Sequence, residues 1–377
     1  RTGDGGTSVR NSSATDGSRV ESTVIGGEFE IEISEDLTLR EKFRLAKNSG
    51  KFFGVFTAAI GDATIPDAIS SAFNGQGVDG LAYATGAGAG TVMSQAQLAN
   101  LNGNGLIQNL RTFDNDINSL DNFSNDLSIT KRIDNTEVTL GYYTASQDID
   151  INWYWQTYLA DVSDDPRLLD AYSGGNQLTT GGHIAYGAPD WGFCCYRDTA
   201  LETNLDAYYI AVSSDVSEDL TLSASVRRDS GEGVGHYAFG ANNSVDFDGD
   251  GNISLAESNA QTISAAAIAG SQYEYDWGYT SYAVGVNYLL DDESAVFANL
   301  SKGGRANADR LGDGGFIQNG TVVDGAVENE VMQYEVGYKF EGAKYGIFAT
   351  LFRAVTEDVN SEGTNGSGTV ARVREYE

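Results

Sequence analysis

Along much of the chain, large apolar residues alternate with small or polar ones. Tyr282-Ala283-Val284-Gly285-Val286-Asn287-Tyr288 shows the pattern, as do Tyr334-Glu335-Val336-Gly337-Tyr338-Lys339-Phe340, Leu220-Thr221-Leu222-Ser223-Ala224-Ser225-Val226-Arg227 and Val138-Thr139-Leu140-Gly141-Tyr142. A period of two puts one set on each face of a strand. One face is aliphatic and aromatic; the other carries Glu335, Lys339, Thr221 and Arg227. The alternation breaks at short polar turns near Ser34-Glu35-Asp36, Ile133-Asp134-Asn135, Ser217-Glu218-Asp219, Asp291-Asp292-Glu293 and Glu341-Gly342-Ala343. The predicted hairpins are Val20–Ile33 with Leu37–Lys47, Leu127–Arg132 with Glu137–Ser146, Thr203–Ser213 with Leu220–Asp229, Tyr273–Leu290 with Ala295–Lys302, and Val331–Phe340 with Tyr345–Val355. An eleventh strand begins near Thr369. The hexapeptide Ser-Glu-Asp-Leu-Thr-Leu occurs at 34–39 and 217–222. Its acidic residues make the turn and alternation resumes at once, so this is shared turn chemistry rather than a domain repeat. Residues Gly61 to Leu110 read as a Gly/Ala-rich loop with short helices at Pro66–Phe73 and Ser94–Leu101.

The connections between hairpins run to tens of residues. A compact soluble domain keeps most connections to about 4–6 residues. Outer-membrane barrels instead have short turns at one end and long loops at the other. Alternation alone suits a soluble sandwich equally well; the loop asymmetry and the Tyr/Phe clustering at strand ends favour the barrel. The expected fold is therefore all-β: an antiparallel transmembrane β-barrel domain over residues 1–377, partial, with ten or eleven strands, long extracellular loops and short periplasmic turns. The expected location is the bacterial outer membrane, with lipid against the apolar face. The chain starts at Arg1 in a polar stretch and stops at Val373-Arg374-Glu375-Tyr376-Glu377, in what reads as the start of a strand. We expect it to be the middle of a longer barrel.

Composition narrows the alternatives. No apolar run approaches the ~20 residues a membrane helix needs, which excludes a helical membrane protein but not a barrel of 9–11-residue strands. The net charge of −31 repels phosphate backbones and excludes nucleic acid as a partner. The acid sits mainly in loops, from Asp161 to Asp165, Asp246 to Asp250 and Asp309 to Asp324, as expected of solvated connections.

One acidic stretch is more specific. Asp246-Phe247-Asp248-Gly249-Asp250-Gly251-Asn252-Ile253-Ser254-Leu255-Ala256-Glu257 matches the twelve-position calcium loop of EF-hands. Asp246, Asp248 and Asp250 stand at positions 1, 3 and 5, Gly251 at the sharp turn, Asn252 where a backbone carbonyl binds, and Glu257 where a carboxylate closes the site. We expect one Ca²⁺ there. The only cysteines are Cys194 and Cys195. In an oxidising compartment neighbours can close a strained eight-membered ring; the alternative is two thiols without an intrachain partner elsewhere. Aromatic residues gather at Trp153, Trp155 and Tyr158 and again at Trp191, beside the cysteines. Such rings suit either planar ligands or a membrane-interface girdle; the girdle is favoured for Trp153 and Trp155 at a strand end, and ligand contact for Trp191. His183 and His236 lack metal-ligand spacing, and no nucleophile, phosphate loop or acid–base pair stands out, so the chain reads as no enzyme.

Ala295-Val296-Phe297-Ala298-Asn299-Leu300-Ser301-Lys302-Gly303-Gly304-Arg305 resembles the strand-to-loop segment of TonB-dependent outer-membrane receptors, usually a Tyr/Phe-rich strand followed by Ser-Lys-Gly-Phe-Arg; Gly304 replaces the aromatic. Glu335-Val336-Gly337-Tyr338-Lys339 resembles the next strand, Glu-x-Gly-x-Lys, and Phe348, Phe352 and Thr356-Glu357-Asp358 fit the hairpin that follows. The resemblance spans most of Val20 to Glu377. It implies a barrel of about 22 strands, plugged by an N-terminal domain that this chain lacks. It also implies energy-coupled uptake of a scarce ligand, such as a siderophore or oligosaccharide, through an inner-membrane TonB-type partner that meets the missing plug. Related receptors often carry a paired vicinal Cys in an outer loop, which supports pairing of Cys194 with Cys195. The alternatives are a passive porin-type channel and a secreted calcium-dependent adhesin or carbohydrate-binding β protein.

Overall fold

The computed structural model describes residues 13, 15–66, 73, 75–192, 195–307, 316–318, 320–323, 325–362 and 370–376. Its alternating segments form twelve wall strands: β1 (Ser18–Ser34), β2 (Leu37–Asp62), β3 (Leu106–Ser119), β4 (Asn122–Ile133), β5 (Thr136–Asp161), β6 (Arg197–Asp215), β7 (Leu220–Phe239), β8 (Gln272–Asp291), β9 (Ser294–Ala306), β10 (Glu328–Glu341), β11 (Gly346–Glu362) and β12 (Val370–Tyr376). They pair antiparallel in chain order, β1-β2-β3-β5-β6-β7-β8-β9-β10-β11-β12. β3 and β4 lie end to end and share the place between β2 and β5. The wall thus has eleven strand positions, each holding a strand legible in the sequence; β3, which extends the place of β4, is not among those strands. Among the described residues, β1 and β12 each pair on one side only.

Turn chemistry closes the hairpins as the residues dictate. Asp134 takes a left-handed φ of 52°, a conformation an Asp side chain tolerates through local hydrogen bonds. Ser34 Oγ donates to Asp36 at 2.6 Å, and Asp291 accepts from the Glu293 N–H at 2.9 Å.

Register separates the faces. Leu222, Val286, Ala298, Val336 and Leu351 form one cross-strand row. All but Ala298 are exposed large apolar residues, Leu351 at 77%. Shifting one residue gives the opposite face: Thr139, Ala211, Ser225, Ala283, Ser301 and Gln333 lie in one row. An apolar outer band with a small and polar inner face is the solution for a sheet that meets lipid on one side and water on the other. Near the turns the inner face encloses a polar cavity of 640 Å³ lined by Glu30, Arg40, Lys42, Asp126, Arg132 and Glu137. Charges there are matched, as in Lys42 with Glu28 at 3.1 Å and Arg40 with Glu30.

Aromatic rings on the inner face lie flat on the glycine directly opposite. Tyr275 faces Gly233, Trp277 faces Gly231 and Tyr209 faces Gly141. A Cβ on Gly233 would sit 2.3 Å from the Tyr275 ring. Glycine is required here by close approach.

The wall strands run well past the membrane. β2 and β5 have 26 residues each, more than twice the roughly 9–11 that span a bilayer. Connections pack around these projecting ends. Leu81, Leu98, Ile107, Leu159, Leu169 and Ile184, all fully buried, form a core there. The stretch expected as the Gly61–Leu110 loop is more ordered than that: Gly80–Tyr83 pairs with Leu169–Ser173, and β3 begins at Leu106. The helix expected over Ser94–Leu101 is the turn Gln95–Leu98, capped reciprocally by Ser94 and Gln97, followed by a 3-10 turn at Leu101–Gly103. The helix expected at Pro66–Phe73 falls, but for its end residues, outside the described residues. The segment after β9 folds back inward, placing Phe316 against Tyr273, Tyr275 and Trp277.

Candidate functional site

Above the outer band, the inner face becomes aromatic. Register places Phe52 and Phe56 of β2, Arg111 and Phe113 of β3, and Trp153 and Trp155 of β5 on it. Trp191, from the connection after β5, closes over them. Ring centroids lie 4.6 Å apart for Phe113–Trp155, 5.3 Å for Phe113–Trp153, 5.6 Å for Trp155–Trp191 and 6.0 Å for Phe56–Trp191. The Arg197 guanidinium lies 4.5 Å over Trp153. Trp155 is buried, while Trp191 is 40% exposed and forms the outer surface of the cluster.

This corrects the girdle reading of Trp153 and Trp155. They share the face of the inner row, not the lipid face. Trp153 also stands 17 residues above the start of β5. At about 3.3 Å per residue and a tilt of about 40°, that is ~40 Å above the turn, beyond an apolar band about 25 Å tall. Alternation could not reveal this, because both interface and vestibule favour aromatic residues. Sequence groups Tyr158 with them, but odd and even positions part company: it lies on the opposite face, stacked on His183 at 4.7 Å.

Arg111 was not singled out by sequence; an Arg between Leu110 and Thr112 carries no local signal of a site. Its side chain is fully buried. It pairs with Asp190, and its guanidinium lies 4.3 Å from the centre of the Trp191 ring. Asp190 and Trp191 share the 3-10 turn Pro189–Trp191, which ends on the left-handed Gly192. Burial pulls the Arg111 guanidinium below its ordinary value against the opposing pull of Asp190.

The acidic loop lies to the side of this cluster. Asp246, Asp248 and Asp250 bring carboxylate oxygens within 4.8 Å of one another. Asp246 accepts from the N–H of Gly249 and Gly251, Asp248 from Asp250 and Asp250 from Asn252. Gly249 and Gly251 take φ values of 75° and 83°, so the chain bends inward around the three acids. Glu257 is held apart from them. It belongs to a capping box with Ser254 at the start of the helix Leu255–Ser258 and accepts from the N–H of Phe247 at 2.6 Å. Burial pushes its carboxyl up, but the N–H and O–H groups of Ser254, Phe247 and Asp248 outweigh that and hold it below the usual range. The three carboxylates and the Asn252 carbonyl suit a hard cation; the Glu257 carboxylate would have to turn from its cap to join them.

The loop is keyed to its neighbour. The Phe247 ring lies 4.2 Å from Tyr186, and Tyr186 lies 4.2 Å from His183. The Gln261 N–H donates to the Tyr186 carbonyl at 2.8 Å. Burial pushes the His183 imidazole down to about 4, opposed by its contact with the Ala185 carbonyl. Cys195, four residues beyond Trp191, is buried and disulfide-bonded; Cys194, the other cysteine of the chain, lies outside the described residues.

The family model described as TonB dependent receptor-like, beta-barrel matches residues 32–373. No curated protein matches the chain. Similar solved structures include the ferric yersiniabactin uptake receptor FyuA from Yersinia pestis, at 11% identity and a TM-score of 0.44 over 90% of this chain and 36% of that one. The siderophore receptor PiuA from Acinetobacter baumannii is 13% identical, with a TM-score of 0.48, over 90% of this chain and 40% of that one. BauA, the ferric preacinetobactin receptor from the same species, is 12% identical, with a TM-score of 0.46, over 94% of this chain and 40% of that one. The chain therefore spans well under half the length of these structures.

Proposed function

Since the chain belongs to the TonB-dependent receptor β-barrel family of bacterial outer-membrane proteins, we propose that it is the ligand-gathering part of a receptor that takes up a scarce small molecule by energy-coupled transport. The observation that carries this reading is the change in the inner face. It is mainly small and polar, with single rings such as Tyr209 laid on glycines, where the outer face is lipid-compatible, and its rings gather into one cluster beyond the membrane, roofed by Trp191. A passive channel needs a wet pore but gains nothing from a ring-lined mouth, whereas a receptor working at low ligand concentration needs contact area. Trp153 and Trp191 supply it over the buried Trp155; Tyr158, on the other face, acts through loop packing.

Energy would come from an inner-membrane TonB-type protein acting on a plug domain supplied by the rest of the receptor. Ca²⁺ is proposed as a structural ion, held by Asp246, Asp248, Asp250 and the Asn252 carbonyl, with Glu257 closing the site. It would fasten the loop that Phe247 docks on Tyr186. The test is uptake by cells producing the whole receptor, with the native ligand identified by extracting the purified protein. Uptake should stop when the TonB-type partner is deleted. Uptake that continues unchanged in that strain would favour the porin-type channel.

A further inference from the structure

Arg111 is fully buried, yet its guanidinium is only partly satisfied. One Nη meets Asp190, while Nε and the other Nη are buried without an acceptor. The indole Nε1 of Trp155 is likewise buried without an acceptor. These donors flank one ring: Trp191 lies 4.3 Å from the Arg111 guanidinium carbon and 5.6 Å from the Trp155 ring. Buried donors left unmade are costly, and more so when charged. Orphaned donors beside a half-exposed aromatic ring make a place that favours an acceptor.

We propose that this is an anion pocket: a carboxylate of the ligand displaces Asp190, takes Arg111 through Nε and one Nη, and accepts from Trp155 Nε1. Asp190 makes a single contact, whereas a ligand carboxylate placed on the Nε edge makes the bidentate pair that a guanidinium fork favours. Trp191 and Phe56, 6.0 Å apart, offer ring faces to the body of the ligand. The class implied is an organic acid with a flat apolar portion. Local cationic charge matters in a chain of net charge −31, which otherwise repels anions. The inference rests on the receptor reading and adds the chemistry of the ligand.

The experiment uses the full-length receptor in detergent, with benzoate and the isosteric, uncharged benzamide as probes and tryptophan fluorescence as readout. Benzoate should quench saturably and bind roughly tenfold or more tightly than benzamide, the scale of one charge-assisted hydrogen bond. Arg111→Gln should erase that preference. Arg111→Lys, which keeps the charge but not the fork, should reduce it. Asp190→Asn should strengthen benzoate binding, because the internal competitor is gone. This variant keeps Arg111 and so carries the test even if Arg111→Gln fails to fold, as heat-modifiable migration on gels would reveal. Equal binding of benzoate and benzamide overturns the proposal. So does a preference that survives Arg111→Gln, or an Asp190→Asn variant that binds benzoate more weakly, since Asp190 would then be a clamp and not a competitor. The titration needs no energy coupling, so its failure leaves the uptake reading intact. Partner-independent uptake would sink the transport reading without touching the pocket.

Discussion

Replacing Gly233 with Ala adds one methyl group under the Tyr275 ring. The new Cβ would lie 2.3 Å from Cε1, 2.4 Å from Cζ and 2.6 Å from the phenolic oxygen. Carbon pairs prefer about 3.5–4.0 Å, so the ring must lift by more than about 1 Å. It has nowhere to go: Tyr275 is buried, stacked on Tyr273 at 6.2 Å, and packed in one cluster with Trp277 and Phe316. Overpacking of this kind costs about 1–3 kcal/mol. Gly303→Ala is the control. Its Cβ would meet only Val331 Cγ1, at 3.5 Å, an ordinary contact. It should be neutral, or stabilising by up to ~1 kcal/mol through the unfolded chain. The assay is urea unfolding of the whole receptor in lipid vesicles, followed by tryptophan fluorescence. Adding Tyr275→Ala to Gly233→Ala should cost less than the sum of the two single changes, because the clash disappears with the ring. Equal stability of Gly233→Ala and wild type, or equal losses at Gly233 and Gly303, would refute the ring-on-glycine account.

Terbium luminescence should report one site in the loop from Asp246 to Glu257, with calcium competing at roughly 10⁻⁴–10⁻³ M. Asp246→Ala or Glu257→Gln should abolish it and Asp229→Asn should not; binding that survives both loop substitutions together means that the twelve-residue match is coincidental. His183, held neutral by burial with a folded value of about 4 against about 6.5 unfolded, takes up its proton more readily in the unfolded loop. Its contribution to stability is therefore whole above pH ~6.5 and is lost as pH falls toward 4. Proteolysis of the 162–196 connection should accelerate over that window, and His183→Phe should flatten the dependence. The chain by itself, in which β1 and β12 pair on one side only among the described residues, should not insert as a compact barrel, because unpaired backbone in lipid costs several kcal/mol per group. Heat-modifiable migration of this piece alone would contradict that.

The strands and their order were legible because their causes are local. Side chains alternate with period two, and turn residues close the hairpins locally, as Ser34 does through its bond to Asp36 and Asp134 through its left-handed backbone. Both signals survive without knowledge of any partner strand. The bend of the acidic loop was legible for the same reason, since Asp246, Asp248 and Asp250 and the glycines between them act within a few residues. The Glu257 carboxylate lies in the capping box with Ser254, and between that cap and the twelve-residue pattern sequence cannot arbitrate. The mouth was not legible. Whether Trp153 meets lipid or lumen depends on how far β5 runs past the membrane, and alternation fades where both faces are covered by protein. Arg111 meets Asp190 from 79 positions away, and Phe56, Phe113 and Trp155 converge because β2, β3 and β5 pair in one register. Sequence determines which face of a strand a residue occupies; only the pairing of distant strands decides what stands beside it, because register is set by the sum of many cross-strand contacts and not by any residue in the site.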